Sequence, residues 1–224
     1  MSFKSKCIEK KNKCKTAIYN YLVGSYTKNL YMNFFSNIPN NSSILDIGVG
    51  DGHSILEHID LIKSKNFKIY AVDIDKDEIA KFRKRIQDEN LHEYFEVYDV
   101  PIDEIEKTTG NKIPFGLDYV FFSNSYSVIP NIKEVVLFIK NYIRPKFYVI
   151  STTLGGNKNS VMSFIKPRLS YVTLGVEFGR YIPYDHFIDE IKGYSLNIIH
   201  QEITHSNFVP FWGEVNVYTF ILQG

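Results

Sequence analysis

The apolar positions of this chain fall into two alternating patterns. Short, nearly continuous apolar runs at 44–47, 67–74, 94–98, 118–123 and 147–152 are separated by stretches where apolar residues return every three or four positions. The runs read as buried strands and the stretches as amphipathic helices, expected at about 54–63, 75–89 and 131–142. Ser54 is the expected N-cap of the first helix, and Asp75 and Asp77 place acids at the positive end of the second. Strand followed by helix followed by strand implies crossover connections, hence a parallel sheet covered on both faces.

The flanks differ. Residues 16–37 carry Ala17, Ile18, Tyr21, Leu22, Tyr26, Leu30, Tyr31 and Phe34 at mostly helical steps, which predicts one or two helices with a break at Gly24-Ser25. Beyond 152, helices are expected at 159–165 and 185–192, then strands at 196–203 and 214–222. No helix separates those two strands, so an antiparallel pair at one edge is expected. The expected fold class is therefore α/β: a doubly wound, mainly parallel sheet with helices on both faces and an antiparallel C-terminal strand pair. No repeat and no Pro/Gly linker interrupts it, so residues 1–224 read as one domain. Within that domain, 1–15 read as a tail and 16–41 as an N-terminal helical cap.

Composition narrows the function by exclusion. The 224 residues carry 26 Lys and Arg against 25 Asp and Glu, a net charge of +1. That balance offers no footprint for duplex nucleic acid. No apolar run approaches the ~18 residues that span a bilayer, so no membrane segment is expected. The lysines of residues 1–15 are joined by Glu9 and enclose no apolar core, unlike a signal or transit peptide, which leaves the cytoplasm as the expected location. Cys7 and Cys14 have no His or Cys cluster beside them, and no HxxxH or CxxC spacing appears, so neither a disulfide nor a metal site is expected.

The chemistry concentrates at 43–56. Ile44, Leu45 and Ile47 enclose one acid, Asp46, and the run then breaks into Gly48, Gly50 and Gly52. Glycine in such a turn tolerates positive φ and lets another molecule lie against the backbone. A dinucleotide fingerprint would require a small residue at position 53, where His53 stands, and its third glycine comes one residue early.

The arrangement Asp46-Ile-Gly48-Val-Gly50-Asp-Gly52 resembles motif I of the class I S-adenosylmethionine-dependent methyltransferases. Val72-Asp73-Ile74-Asp75 resembles their second motif, Phe115-Gly-Leu-Asp118-Tyr-Val-Phe-Phe the lead into their fourth strand, and Ile143-Arg-Pro145 the turn before their fifth. Lys146-Phe147 stands there in place of the usual Gly-Gly. The likeness covers 42–153 by residue and the C-terminal strands by architecture only.

The resemblance implies S-adenosylmethionine as cofactor, held by Asp46, Gly48, Gly50, Gly52, Asp73, Ile74, Asp99 and Ser123. Asp73, with Asp75 as the alternative, would take the ribose hydroxyls, because charge-assisted bonds are strong. Asp46 suits the ligand's positive groups, Asp99 or Val100 would face the adenine, and Ser123 would lie at the cofactor's edge. The cofactor carries no phosphate, so the turn needs no cation, and none is present. A small-molecule acceptor would meet Asn124 and Tyr126 in the loop after the fourth strand and Tyr181 in a substrate-side insertion at 157–195. That insertion is rich in apolar and aromatic residues; Lys166, Arg168 and Arg180 would instead favour an acidic metabolite.

Each assignment has a plainer alternative. Asp73 and Asp75 also fit helix N-caps, Asp99 a loop acid, and the aromatic stripe at 18–35 a core face, although helices at this place in the family often cap the cofactor and Tyr26 and Tyr31 lie on it. Asp118 reads as structural. His53, His186 and His205 are isolated, and no catalytic residue is assigned. Methyl transfer depends mainly on placing the nucleophile in line, with a base only where the acceptor is protonated. The loop at 123–127 lacks the Asn-Pro-Pro-Tyr of methylases that act on bases or glutamine. Three functions stay open: a methyltransferase acting on a small molecule, or on protein or RNA; a catalytically silent cofactor-binding subunit; and a dinucleotide-dependent oxidoreductase. Oligomeric state is not indicated.

Overall fold

The computed structural model describes residues 25–110, 113–155, 180, 182–209 and 213–224. The helix expected across 16–37 is described from α1 (Ser25–Asn37) onward. There follow β1 (Ser43–Ile47), α2 (His53–Leu56), α3 (Ile59–Lys65), β2 (Lys68–Val72), α4 (Lys76–Asp88), β3 (Phe95–Tyr98) and α5 (Ile105–Thr109). The second half holds β4 (Tyr119–Ser123), α6 (Ile132–Phe138), β5 (Phe147–Leu154), α7 (Tyr184–Gly193), β6 (Asn197–Val209) and β7 (Gly213–Gln223). The seven strands form one sheet in the order β3-β2-β1-β4-β5-β7-β6. β1 to β5 pair in parallel, and β7 enters antiparallel between β5 and β6. This is the α/β architecture expected, including its antiparallel C-terminal pair.

The apolar runs of the strands split residue by residue between two cores, as a period of two requires. Leu45, Ile47, Tyr70, Val72, Val120, Phe122, Ile150 and Phe220 face one side, with Ile105, Ile132, Val136, Phe187 and Ile191 from α5, α6 and α7. Ile44, Ile69, Ala71, Phe121, Val149 and Val217 face the other, with Leu30, Phe34 and Phe35 of α1, Ile55, Ile62 and Phe82. α1 to α4 therefore cover one face and α5 to α7 the other.

Local boundaries depart from expectation in several places, among them β6, which runs to Val209 rather than 203, and α5, which forms where a loop was expected. The helix expected at 54–63 is two helices, α2 and α3, broken at His58, whose buried ring meets the Lys28 carbonyl of α1 through Nε2 at 2.9 Å. Ser54 is not the N-cap; Gly52 takes that place with φ 70° and no side-chain cap. α6 ends at Phe138 and continues as a π-turn over Ile139–Ile143. The helix expected at 159–165 lies outside the described residues. No helix among the described residues is long and apolar enough to cross a membrane.

Candidate functional site

The site forms where β1, β2 and β4 end side by side, at the carboxyl edge where open α/β sheets hold ligands. β1 runs directly into the glycine turn. The Gly48 N–H donates to the Val72 carbonyl at 2.8 Å, tying the turn to the end of β2. All three glycines have positive φ, but they differ in what surrounds them. A Cβ on Gly48 would stand 2.4 Å from Ser125 Cβ, and one on Gly52 would stand 2.1 Å from the Phe82 ring. Those two glycines let the turn pack against β4's loop and α4. At Gly50 a Cβ would meet nothing within 4 Å, so this backbone faces open space.

Asp73, one residue past β2, accepts from the Gly50 N–H through Oδ2 at 2.8 Å and from the Asp75 N–H through Oδ1 at 2.9 Å. It braces the open part of the turn, and each oxygen keeps a lone pair for a further donor. The N-cap role belongs to Asp75, whose carboxylate accepts from Asp77 and Glu78 N–H at the start of α4. Ile74 between them is exposed. Asp99, after β3, faces Arg83 with bonds of 3.0 and 3.2 Å. The Arg83 hydrogen bonds hold its pKa below the usual carboxylate range.

Asp46 is the unusual group. It lies in the middle of the sheet, 1% exposed. The Tyr31 hydroxyl of α1 donates to its Oδ2 at 2.6 Å, and Ser123 Oγ at the end of β4 donates to that hydroxyl at 2.9 Å. Oδ1 is buried without a partner among the described residues. Burial pushes the Asp46 pKa up to about 7; the Tyr31 bond opposes this and the nearby Asp73 charge adds to it. Burial and the same pairing drive the Tyr31 hydroxyl well above its ordinary value, so it stays a donor.

Past Ser123, Asn124 adopts φ 61°. Its Nδ2 donates to the Tyr26 hydroxyl at 2.6 Å, and its Oδ1 accepts from Thr153 at 3.1 Å. Ser125 Oγ bonds the Ile47 carbonyl and so ties the β4 loop to β1. Tyr126 lies in the core: it is fully buried, edge-on to Phe122 and Phe187, with its hydroxyl 3.4 Å from that of Tyr194. Tyr181, and nearly all of the insertion expected at 157–195 before Ile182, lie outside the described residues.

No family model matches the sequence, and no curated protein matches it. Solved structures do match. Geranyl diphosphate C-methyltransferase from Streptomyces coelicolor A3(2), in complex with Mg2+, geranyl diphosphate and S-adenosyl-L-homocysteine, superposes with a TM-score of 0.64 at 9% identity over 91% of this chain and 80% of its own. The cyclopropane synthase MmaA2 from Mycobacterium tuberculosis gives 0.62 at 10% identity over 84% and 80%. The chain has the class I methyltransferase fold. The [4+2]-cyclase SpnF shares it too, with a TM-score of 0.65 at 9% identity over 88% and 80%, so the methyltransferase fold by itself does not name a reaction.

The residues of this methyltransferase fold fit the cofactor that the resemblance implies. Gly50 offers bare backbone, Asp73 offers two anionic acceptors beside it, and the orphaned Oδ1 of Asp46 suits a cationic donor. Sequence reasoning placed Tyr31 and Tyr26 on a core stripe with a capping role as the alternative. It missed their partners, Asp46 and Asn124, which lie 15 and 98 residues away in the chain. The one available signal was the lone acid in an apolar strand, which has to find a donor somewhere.

Proposed function

We propose that this protein is an S-adenosylmethionine-dependent methyltransferase that acts on a small-molecule acceptor. The observation that carries this reading is the pairing of Gly50's open backbone with Asp73, whose carboxylate anchors that backbone and still has acceptor capacity. Bound there, the cofactor supplies an activated methyl group on a sulfonium. The chain's own residues bind and orient. Gly48 to Gly52 give close backbone approach, Asp73 takes the ribose hydroxyls, Asp46 balances positive charge, and Ile74 and Asp99 flank the adenine end. Ser123 holds Tyr31 at the cofactor's edge. Asn124, with its amide fixed by Tyr26 and Thr153, presents the acceptor side.

Two kinds of support favour a small acceptor. Among the structural neighbours, one is a geranyl diphosphate C-methyltransferase and another a mitomycin 7-O-methyltransferase. The near-neutral chain also offers no long phosphate track.

The test is a thermal-shift series with S-adenosylmethionine, its demethylated product and NAD. Stabilisation by the first two and not by NAD is expected. In calorimetry, Asp73→Ala should weaken the cofactor roughly ten- to a hundredfold, the usual cost of losing a charge-assisted bond. Unchanged affinity would remove Asp73 from the site. Turnover of the cofactor in pooled metabolites separates a working enzyme from a silent binding subunit.

A further inference from the structure

The sheet ends differently at its two edges. β3 is 4 residues long, whereas β6 runs for 13, from Asn197 to Val209. Long edge strands are usually guarded by lysine, proline or bulges. Lysine and proline are absent between Asn197 and Val209, and the two register shifts of β6, between Ile198 and His200 and between Ile203 and His205, leave a regular stretch at 200–203 between them. Ile199, His200, Gln201, Glu202 and Ile203 are consecutively exposed, the two isoleucines at 52% and 54%.

These five side chains are sorted by face. Ile203 is in register with Tyr218, whose ring packs on Tyr184 of α7. Ile199 lines a groove with Tyr184 and Ile188 of α7, at whose edge His200 also stands, and Gln201 accepts from the Tyr184 hydroxyl at 2.8 Å. Both isoleucines thus lie on the α7 side. Glu202 accepts from Asn33 of α1 through Oε1, and its Oε2 stands 3.9 Å from His200, which puts this polar pair on the α1 side. Read along the strand, the order is apolar, base, amide, acid, apolar. Reversed about Gln201, the order is its own complement.

We propose that β6 is the contact between two copies of this chain, paired antiparallel about a two-fold axis through Gln201. A two-fold perpendicular to the sheet keeps each face on its own side. In this register Ile199 meets the partner's Ile203 on the α7 side. His200 meets the partner's Glu202 on the α1 side, and Gln201 meets its own copy. A ring N–H facing a carboxylate and apolar pairs directly across an antiparallel ladder stabilise it, whereas like charges there destabilise it. The neighbouring in-face registers, shifted by two residues, set Glu202 or His200 opposite itself. One of these sets two carboxylates face to face and the other leaves Glu202 without the His200 ring N–H, so the polar pattern selects one alignment. The result is one continuous sheet across both copies, with the candidate sites at its outer parts left open.

The register is testable directly. In a background of Cys7→Ser and Cys14→Ser, Gln201→Cys places two thiols across an antiparallel pair, about 4.5–5.5 Å apart at Cα and within disulfide reach. A disulfide-linked dimer should form under mild oxidation, while Ile199→Cys, which faces a different residue, should give none. In sedimentation the native chain should show a concentration-dependent dimer of the 26.1 kDa protomer. His200→Glu should weaken it at least tenfold, and adding Glu202→Lys to that variant should restore it. All of these side chains are exposed, so unchanged circular dichroism is expected throughout. A native chain that stays monomeric throughout the micromolar range would overturn the proposal. So would equal cross-linking of the two single-cysteine variants.

Discussion

Asp46 shows most clearly what a single side chain does to this molecule. An unfolded aspartate titrates near 3.8, whereas burial raises Asp46 to about 7 in the fold. The titratable groups facing it are the Asp73 carboxylate after β2 and, as its neutral hydrogen-bond donor, Tyr31 on α1. Between about pH 4 and 7 the folded chain keeps a proton that the unfolded chain has released. Raising the pH through that window therefore costs stability, on the order of a few kcal/mol, and the loss is complete above pH 7. Urea unfolding of the native chain and Asp46→Asn at pH 5 and pH 8 should show a smaller pH slope in the variant. If a cation binds beside Asp46, binding below pH 7 should also release a proton. Calorimetry in two buffers of different ionisation enthalpy reads that release.

The glycines separate packing from ligand access at the same scale. Gly52→Ala drives a methyl into the Phe82 ring at a positive φ, so a loss of roughly 1–3 kcal/mol from overpacking is expected, plus backbone strain. Gly50→Ala meets no neighbour and should lose less stability while blocking the cofactor. Thermal melting with and without S-adenosylmethionine distinguishes the two. The motif residues were legible because close approach leaves glycine as its mark. The partners of Asp46 and Asn124 were not, because hydrogen bonds between distant segments leave no spacing in a sequence.

Among the elements, α1 links core to site. Phe34 stacks on Phe121 at 4.3 Å, Phe35 packs against Phe67 and His58, and Tyr31 reaches Asp46 from the same helix. Phe35→Ala should cost about 3–5 kcal/mol, as removal of a fully buried aromatic does, and denaturant melts would measure it. It should weaken cofactor binding as well, because Tyr31 loses its fixed approach to Asp46. Periodicity located α1 and most other helices within a few residues. It failed at His58, where a buried ring bonding the backbone of another helix breaks the α2–α3 pattern. It also ended β6 early, at 203, because the second half of that strand is stabilised by β7 rather than by its own apolar content.

At the scale of the whole molecule, alternation of strand and helix was enough to foresee a parallel sheet covered on both faces. The missing helix between the last two strands was enough to foresee their antiparallel pairing. Strand order was not readable, since nothing in the residues of β7 says that it inserts between β5 and β6. That insertion bears on truncation. β6 joins the sheet only through β7, its link to β5. A chain cut before Gly213 would therefore lose two strands for one, leaving a 13-residue strand with neither edge paired.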